Sequence, residues 1–197
     1  MAIFQNANAI SVDSEFELKS GRFNVGVANY LKHTAQEPTS KRRMTLSVWV
    51  KQPMHNGGIL ESNGISDWDW LGFAGSGYNI KLRCYLHGGT HGDLITTRCF
   101  RDQSAWYHIV MAMDTDQPTS ADRIQLFVNG TRIVNFATNN QPSEGRDVSN
   151  WNAMGSEQRV FTNSTSSGMI MSEYYWVDGY QLDPTYFGEE DTVTGLW

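Results

Sequence analysis

The chain has 197 residues, enough for one full domain with a substantial core, and its 40% hydrophobic and 12% aromatic content is that of a folded protein with a ring-rich interior. Only 18% of residues are charged and the formal net charge is −6, with Lys41, Arg42 and Arg43 as the single basic run; this argues against a nucleic-acid partner, since displacing phosphate counterions takes a larger positive footprint. No apolar run approaches the ~20 residues needed to cross a bilayer, so no membrane insertion is expected.

Residues 1–17 are polar and turn-rich, read as an N-terminal arm without the basic and apolar regions of a signal peptide. The first clear strand is at 44–51, where Met44, Leu46, Val48 and Val50 share one face and Thr45, Ser47 and Lys51 the other. His55-Asn56-Gly57-Gly58 signals a turn. Ile80, Leu82, Cys84 and Leu86 then alternate with Lys81, Arg83, Tyr85 and His87, residues 87–93 read as a hairpin loop, and Leu94 to Phe100 as the return strand. Trp106 to Met113 is a continuous apolar run, expected to be a central strand buried on both faces. Arg123 to Val128 follows, and Asn129-Gly130 is the strongest short hairpin signal, with Thr131 to Phe136 pairing back. Thr138 to Asn150 reads as a polar loop and Met169 to Val177 as the last strand.

Many short strands with regular turns and no helical spacers predict an all-β, antiparallel two-sheet sandwich or jelly roll over 18–187. Trp106, Ile109, Val110, Val48, Val50 and Phe127 are expected inside it. The acidic tail at 188–197, ending in Leu196-Trp197, and the N-terminal arm are expected to pack on the sandwich or on a neighbouring subunit. The two cysteines, Cys84 and Cys99, fit no zinc pattern; they could pair across a hairpin, but reduced thiols are expected without a secretion address.

The positive functional signal is aromatic. Trp68, Trp70, Tyr78 and Trp151 lie at or near loop segments. Exposed rings stack on the C–H faces of sugars, while amides and carboxylates such as Asp67, Asp69 and Asn152 fix the hydroxyls. Trp68 and Trp151 are expected to be exposed, and these seven residues form the candidate glycan rim. His108, inside the apolar run, is read as structural.

At Trp106-Tyr107-His108-Ile109-Val110 and Leu126-Phe127-Val128-Asn129-Gly130 the chain resembles the concanavalin A-like lectin/glucanase superfamily, in its laminin-G-like branch. It resembles more narrowly the laminin-G-like modules of marine bacteriophage structural proteins, at Leu46-Ser47-Val48-Trp49-Val50-Lys51, Ser104-Ala105-Trp106-Tyr107-His108 and Val177-Asp178-Gly179-Tyr180-Gln181-Leu182-Asp183-Pro184. In those sequences the chain continues past the matching Trp, so this stretch reads as a module of a larger protein or a minimal version. The glucanases of the superfamily resemble one another in an E-x-D-x-x-E strand that places acid and nucleophile on one face. No such strand occurs here, so no catalytic residue and no enzyme activity are expected. The resemblance also implies calcium on loop carboxylates, for which Asp114, Asp116 and Asp122 are the candidates. They reproduce no recognised calcium loop and are read as solvated turn acids, with no cofactor.

What the resemblance implies is a non-catalytic binding module of a phage virion, made in the host cytoplasm, oligomeric within a larger assembly and adhering to host-surface glycans. The alternatives are a capsid decoration or fibre spacer that contacts only neighbouring virion subunits, and a carbohydrate-active enzyme with an unrecognised active site.

Overall fold

The computed structural model describes residues 2–3, 20–22, 30–51, 56–63, 68–147, 150–160 and 168–197. They form two packed seven-stranded sheets, with strands numbered in chain order. The first sheet runs β1 (Ala2–Ile3), β14 (Ile170–Asp178), β4 (Arg43–Lys51), β9 (Trp106–Asp114), β10 (Ile124–Val128) and β11 (Thr131–Arg132), and β2 (Ser20–Arg22) also pairs with β14. The second runs β12 (Phe136–Asn140), β8 (Gly92–Cys99), β7 (Lys81–Leu86), β6 (Trp68–Ala74), β5 (Gly57–Asn63), β13 (Glu157–Val160) and β3 (Leu31–Thr34). Neighbouring strands pair antiparallel, and the only helical pieces among the described residues are three short 3₁₀ turns.

Period-2 alternation builds the core. Met44, Leu46, Val48 and Val50 of β4 point between the sheets with Ile109, Met111 and Met113 of β9 and Leu126 and Val128 of β10. Leu71, Phe73, Leu82, Cys84, Leu86 and Leu94 meet them from the second sheet. The Asn129-Gly130 hairpin forms as expected, with φ of 49° and 72° at its two corners, the pair that an I′ turn requires. Beyond it the chain leaves the first sheet, and Phe136–Asn140 joins the edge of the second as β12, so residues 138–140 are strand rather than loop. Cys84 points into the core, with its Sγ 3.7 Å from Met111 Sδ, whereas Cys99 is half-buried near the other end of the hairpin; both are free thiols.

Three residues expected between the sheets are elsewhere. Trp106 opens β9 and is 37% exposed. Val110 and Phe127 are buried, but on the outer face of the first sheet, in a separate cluster with Ala112 and Phe187. That face is covered by the chain itself: residues 179–197 lie across it as a strap. Thr45 Oγ1 donates to the Tyr180 carbonyl at 2.7 Å and accepts from the Leu182 amide at 2.8 Å, and Gln181 Nε2 donates to the Asp122 carbonyl at 2.7 Å. β9 is therefore buried on both sides, as its unbroken apolar run requires.

The strap ends on His108. The Trp197 indole N–H donates to His108 Nδ1 at 2.7 Å, so the two rings lie edge to edge and nearly coplanar with centroids 5.7 Å apart, and Trp49 stacks on the imidazole at 4.9 Å. An indole can only donate, so Nδ1 is the acceptor and Nε2 carries the proton, which it gives to Ser47 Oγ at 2.8 Å. Gly130 lets the indole close down, for a Cβ there would lie 2.3 Å from Trp197 Cε3.

Burial lowers the His108 pKa from 6.5 to about 4. Between those values the unfolded chain takes up a proton that the folded chain refuses. The contribution is thus fully present above pH 6.5 and is lost as pH falls toward 4, a loss on the order of 3 kcal/mol. Urea titrations at neutral pH and near pH 4.5 should show it, and His108→Asn should flatten the dependence over that interval.

Candidate functional site

The candidate face is set by an inversion of hydropathy in β6. Trp68, Asp69 and Trp70 lie on a strand, not in a loop, and it is Asp69 that points inward, fully buried. A buried carboxylate needs donors, and this one has three. Its Oδ1 accepts the His87 amide at 2.7 Å, and its Oδ2 accepts the Asn150 and Trp151 amides at 3.2 Å each. Burial raises the Asp69 pKa, against the three N–H bonds that pull it down. Because side chains alternate, an inward Asp69 turns Trp68 and Trp70 outward.

The outward row of the second sheet reads, across the strands, Asn140, Asp93, Tyr85, Trp70, Glu61, Arg159 and Lys32. The Trp70 indole lies across Gly72, where a Cβ would fall 2.7 Å from Trp70 Cζ2, so the glycine provides the floor on which the ring rests. Trp68, 43% exposed, meets the Tyr85 ring at 5.0 Å. Arg83, two residues before Tyr85 on the same face, lies over the tyrosine ring at 4.2 Å. It is held there by a two-pronged pair with Asp93, Nε and Nη2 each 2.8 Å from a carboxylate oxygen. Farther along, Glu157 accepts from Arg159 at 2.7 Å and Lys32 at 3.3 Å, which hold its carboxyl below the usual range. The result is a connected ring surface, Trp68–Tyr85 beside Trp70, flanked by charge pairs.

The expected rim is only partly assembled. Trp68 and Trp70 are on this face. Asp67 lies outside the described residues. Asp69 is beneath the face and structural. Trp151 is fully buried in the main core cluster, so it offers no ring to a ligand. Its place there follows from the two bonds of Asp69 Oδ2, which draw residues 150–151 under the sheet. Asn152 is buried too, donating through Nδ2 to the Ser40 carbonyl and, at 2.7 Å, to Asp178. Tyr78 is 79% exposed but sits in the turn after β6, a strand length of roughly 20 Å from Trp68. Tyr85, Arg83 and Asp93 were missed, although the alternation of Lys81, Arg83 and Tyr85 marks them as one face.

The calcium candidates do not fit the ion. Asp114 takes Arg43 at 3.2 Å, Asp116 takes Arg42 at 3.0 Å and Arg43 at 3.1 Å, and Asp122 takes Arg132 at 2.7 Å. The guanidinium groups occupy the oxygens a cation would need, and no group of three or more His, Cys, Asp or Glu among the described residues is arranged to hold a metal.

Two packed antiparallel sheets in this strand order define a lectin-like jelly-roll domain. The chain belongs to the concanavalin A-like lectin/glucanases superfamily, whose laminin-G model matches residues 25–172. Its fold is similar to that of a native heptameric SAP-like pentraxin from Limulus polyphemus, 14% identical, with a TM-score of 0.51 over 75% of this chain and 68% of the pentraxin. It is also similar to the binding domain of botulinum neurotoxin DC in complex with rat synaptotagmin II, 9% identical, with a TM-score of 0.50 over 92% of this chain and 48% of the other. The chain thus spans about half the length of that neurotoxin chain. At these identities the likeness is one of fold. No curated protein matches the chain in sequence.

Asp69→Asn tests the keystone. An amide places one N–H against a backbone donor, so the variant should lose roughly 1–3 kcal/mol of stability in urea titrations, with altered tryptophan fluorescence as residues 150–152 loosen.

Proposed function

We propose that this domain is a non-catalytic saccharide-binding module that stacks sugars on the Trp68–Trp70–Tyr85 face, in the setting of a phage virion adhering to host-surface glycans. The observation that carries the reading is the Trp70 ring laid over Gly72 beside the half-exposed Trp68. The glycine-floored ring can offer its outer face without rearrangement. Superfamily membership alone does not select a sugar, since the neurotoxin domain of the same fold is seen with synaptotagmin. The rings supply the choice: aromatic faces match the C–H faces of pyranoses, and hydrogen-bonding groups stand beside them.

The carboxylates support binding over hydrolysis. Glu61 and Asp93 are three strand spacings apart, roughly 14 Å, wider than acid-and-base pairs in glycosidases. Glu157 is held ionised by Arg159 and Lys32, the opposite of a proton-donating acid. The reading invokes no cofactor. Single sites of this kind bind weakly, and many copies in an assembly, as the virion setting supplies, multiply the affinity.

Trp70→Ala and Trp68→Ala, made separately and checked for folding by circular dichroism, should each weaken glycan binding by about tenfold, the equivalent of one stacking contact. Trp151→Ala should cost stability instead, by about 3–5 kcal/mol, as truncation of a buried core ring. A glycan panel read with both ring variants checks the reading, which fails if each binds as the parent does.

A further inference from the structure

Among the described residues the ring face carries one cation directly beside it, Arg83, and that cation is already paired. Arg83 gives both Nε and Nη2 to Asp93, at 2.8 Å each, while its plane lies 4.2 Å over Tyr85. Both side chains are mostly buried, with 29% of Arg83 and 19% of Asp93 exposed. The fork therefore fixes the guanidinium, cancels its charge, and leaves the Nη1 edge as a hydrogen-bond donor. On the far flank Lys32 and Arg159 share Glu157, and Arg159 lies 5.0 Å over the Tyr30 ring. Lys81 is four residues along β7 from Tyr85, roughly 13 Å away, and outside the ring cluster.

Resting on the saccharide reading above, we propose that Asp93 is the specificity determinant of this face: by saturating Arg83 it makes the rings accept neutral saccharides and turn away acidic ones. A neutral sugar needs stacking and a donor for its hydroxyls, and both are present. A uronate or sulfate needs a cation with charge to spare, and next to Arg83 it meets the carboxylate of Asp93. Like-charge repulsion at a partly desolvated site is an effective discriminator, because it penalises the wrong ligand without weakening the right one. Removing the carboxylate converts the same arginine from the donor half of a neutral pair into an anion receptor of the kind guanidinium groups ordinarily form.

The experiment compares neutral hexose oligomers with length-matched uronate and sulfated oligomers on the parent chain, Asp93→Asn, and the double variant Asp93→Asn with Arg83→Gln. Folding is checked first by circular dichroism and thermal melting. The parent should prefer neutral oligomers by about tenfold or more. Its binding should change little between about 50 and 500 mM salt, because no net charge is being paired. Asp93→Asn should narrow that preference by about fivefold or more and bring in a salt dependence; the double variant should lose the gain. A parent that binds acidic oligomers as well as neutral ones, or a folded Asp93→Asn with unchanged preference, overturns the inference while leaving saccharide binding intact. Should Asp93→Asn not fold, the parent's charge preference and salt dependence decide alone. A parent that binds no saccharide overturns the underlying reading, and this inference with it.

Discussion

Asp69 holds the architecture of the ring-bearing end together. Three backbone amides, from His87, Asn150 and Trp151, converge on one buried carboxylate, and those residues belong to two segments far apart in the chain. Ionised and unpaired in that interior it would be prohibitively costly; with three donors it is a fixed joint between β6, the turn after β7 and the segment that carries Trp151. The consequences run in both directions. Below the sheet, Trp151 is drawn into the core cluster, and Gln158 and Asn152 tie the segment to its surroundings. Above it, the flanking tryptophans must face outward, since a one-residue slip would bury both indoles and strand the carboxylate in solvent.

The two sheets treat their outer faces differently. On the first, the 179–197 strap seals Val110, Ala112 and Phe127 and ends with Trp197 locked on His108. The polar positions of β4 under the strap, Thr45 and Ser47, serve that closure by hydrogen bonding, not by reaching solvent. On the second sheet no strap lies over the rings among the described residues, and the adjacent rings of Tyr85 and Trp70 are flanked across the strands by charged side chains. A large ring left partly exposed on one side of a sandwich whose other outer face is sealed is hard to explain by core packing, because the same chain shows how such surface is covered when it is structural.

Much of the fold was legible in the sequence for a physical reason: the packing of a strand's two faces is written directly into residue type. β4 and β7 show the alternation of apolar and polar positions, β9 shows the unbroken apolar run of a strand covered on both faces, and the family resemblance rests on these strands and the Asn129-Gly130 hairpin. The site was less legible because its key residue breaks the pattern. In Trp68-Asp69-Trp70 hydropathy alone sends the rings in and the acid out, or makes the stretch a loop. Only the donors supplied by residues 87, 150 and 151 reverse it, and their convergence is a tertiary fact. Trp151 misled in the same way, since its polar neighbours Asn150 and Asn152 suggest a surface loop, yet both are buried and bonded. β12 was hidden by its amides, which suit an exposed edge as well as a loop. Val110 and Phe127 were rightly read as buried, but alternation cannot say that a distant strap, not the opposite sheet, covers them.

The placement of the rings on a strand changes what the site can do. A ring on a loop must be ordered as it binds, and that loss of freedom subtracts from the contact. Trp70 lies across Gly72 in a sheet paired on both sides, and Tyr85 is braced by Trp68 and by Arg83, which Asp93 holds in turn. Each group thus has its orientation set by another before any ligand arrives, the condition under which a few stacking contacts yield usable affinity. On the proposed saccharide reading, the same bracing narrows the range of ligands. A platform this rigid suits what lies flat against it, and the neutralising of Arg83 by Asp93 would then govern which of those ligands can stay.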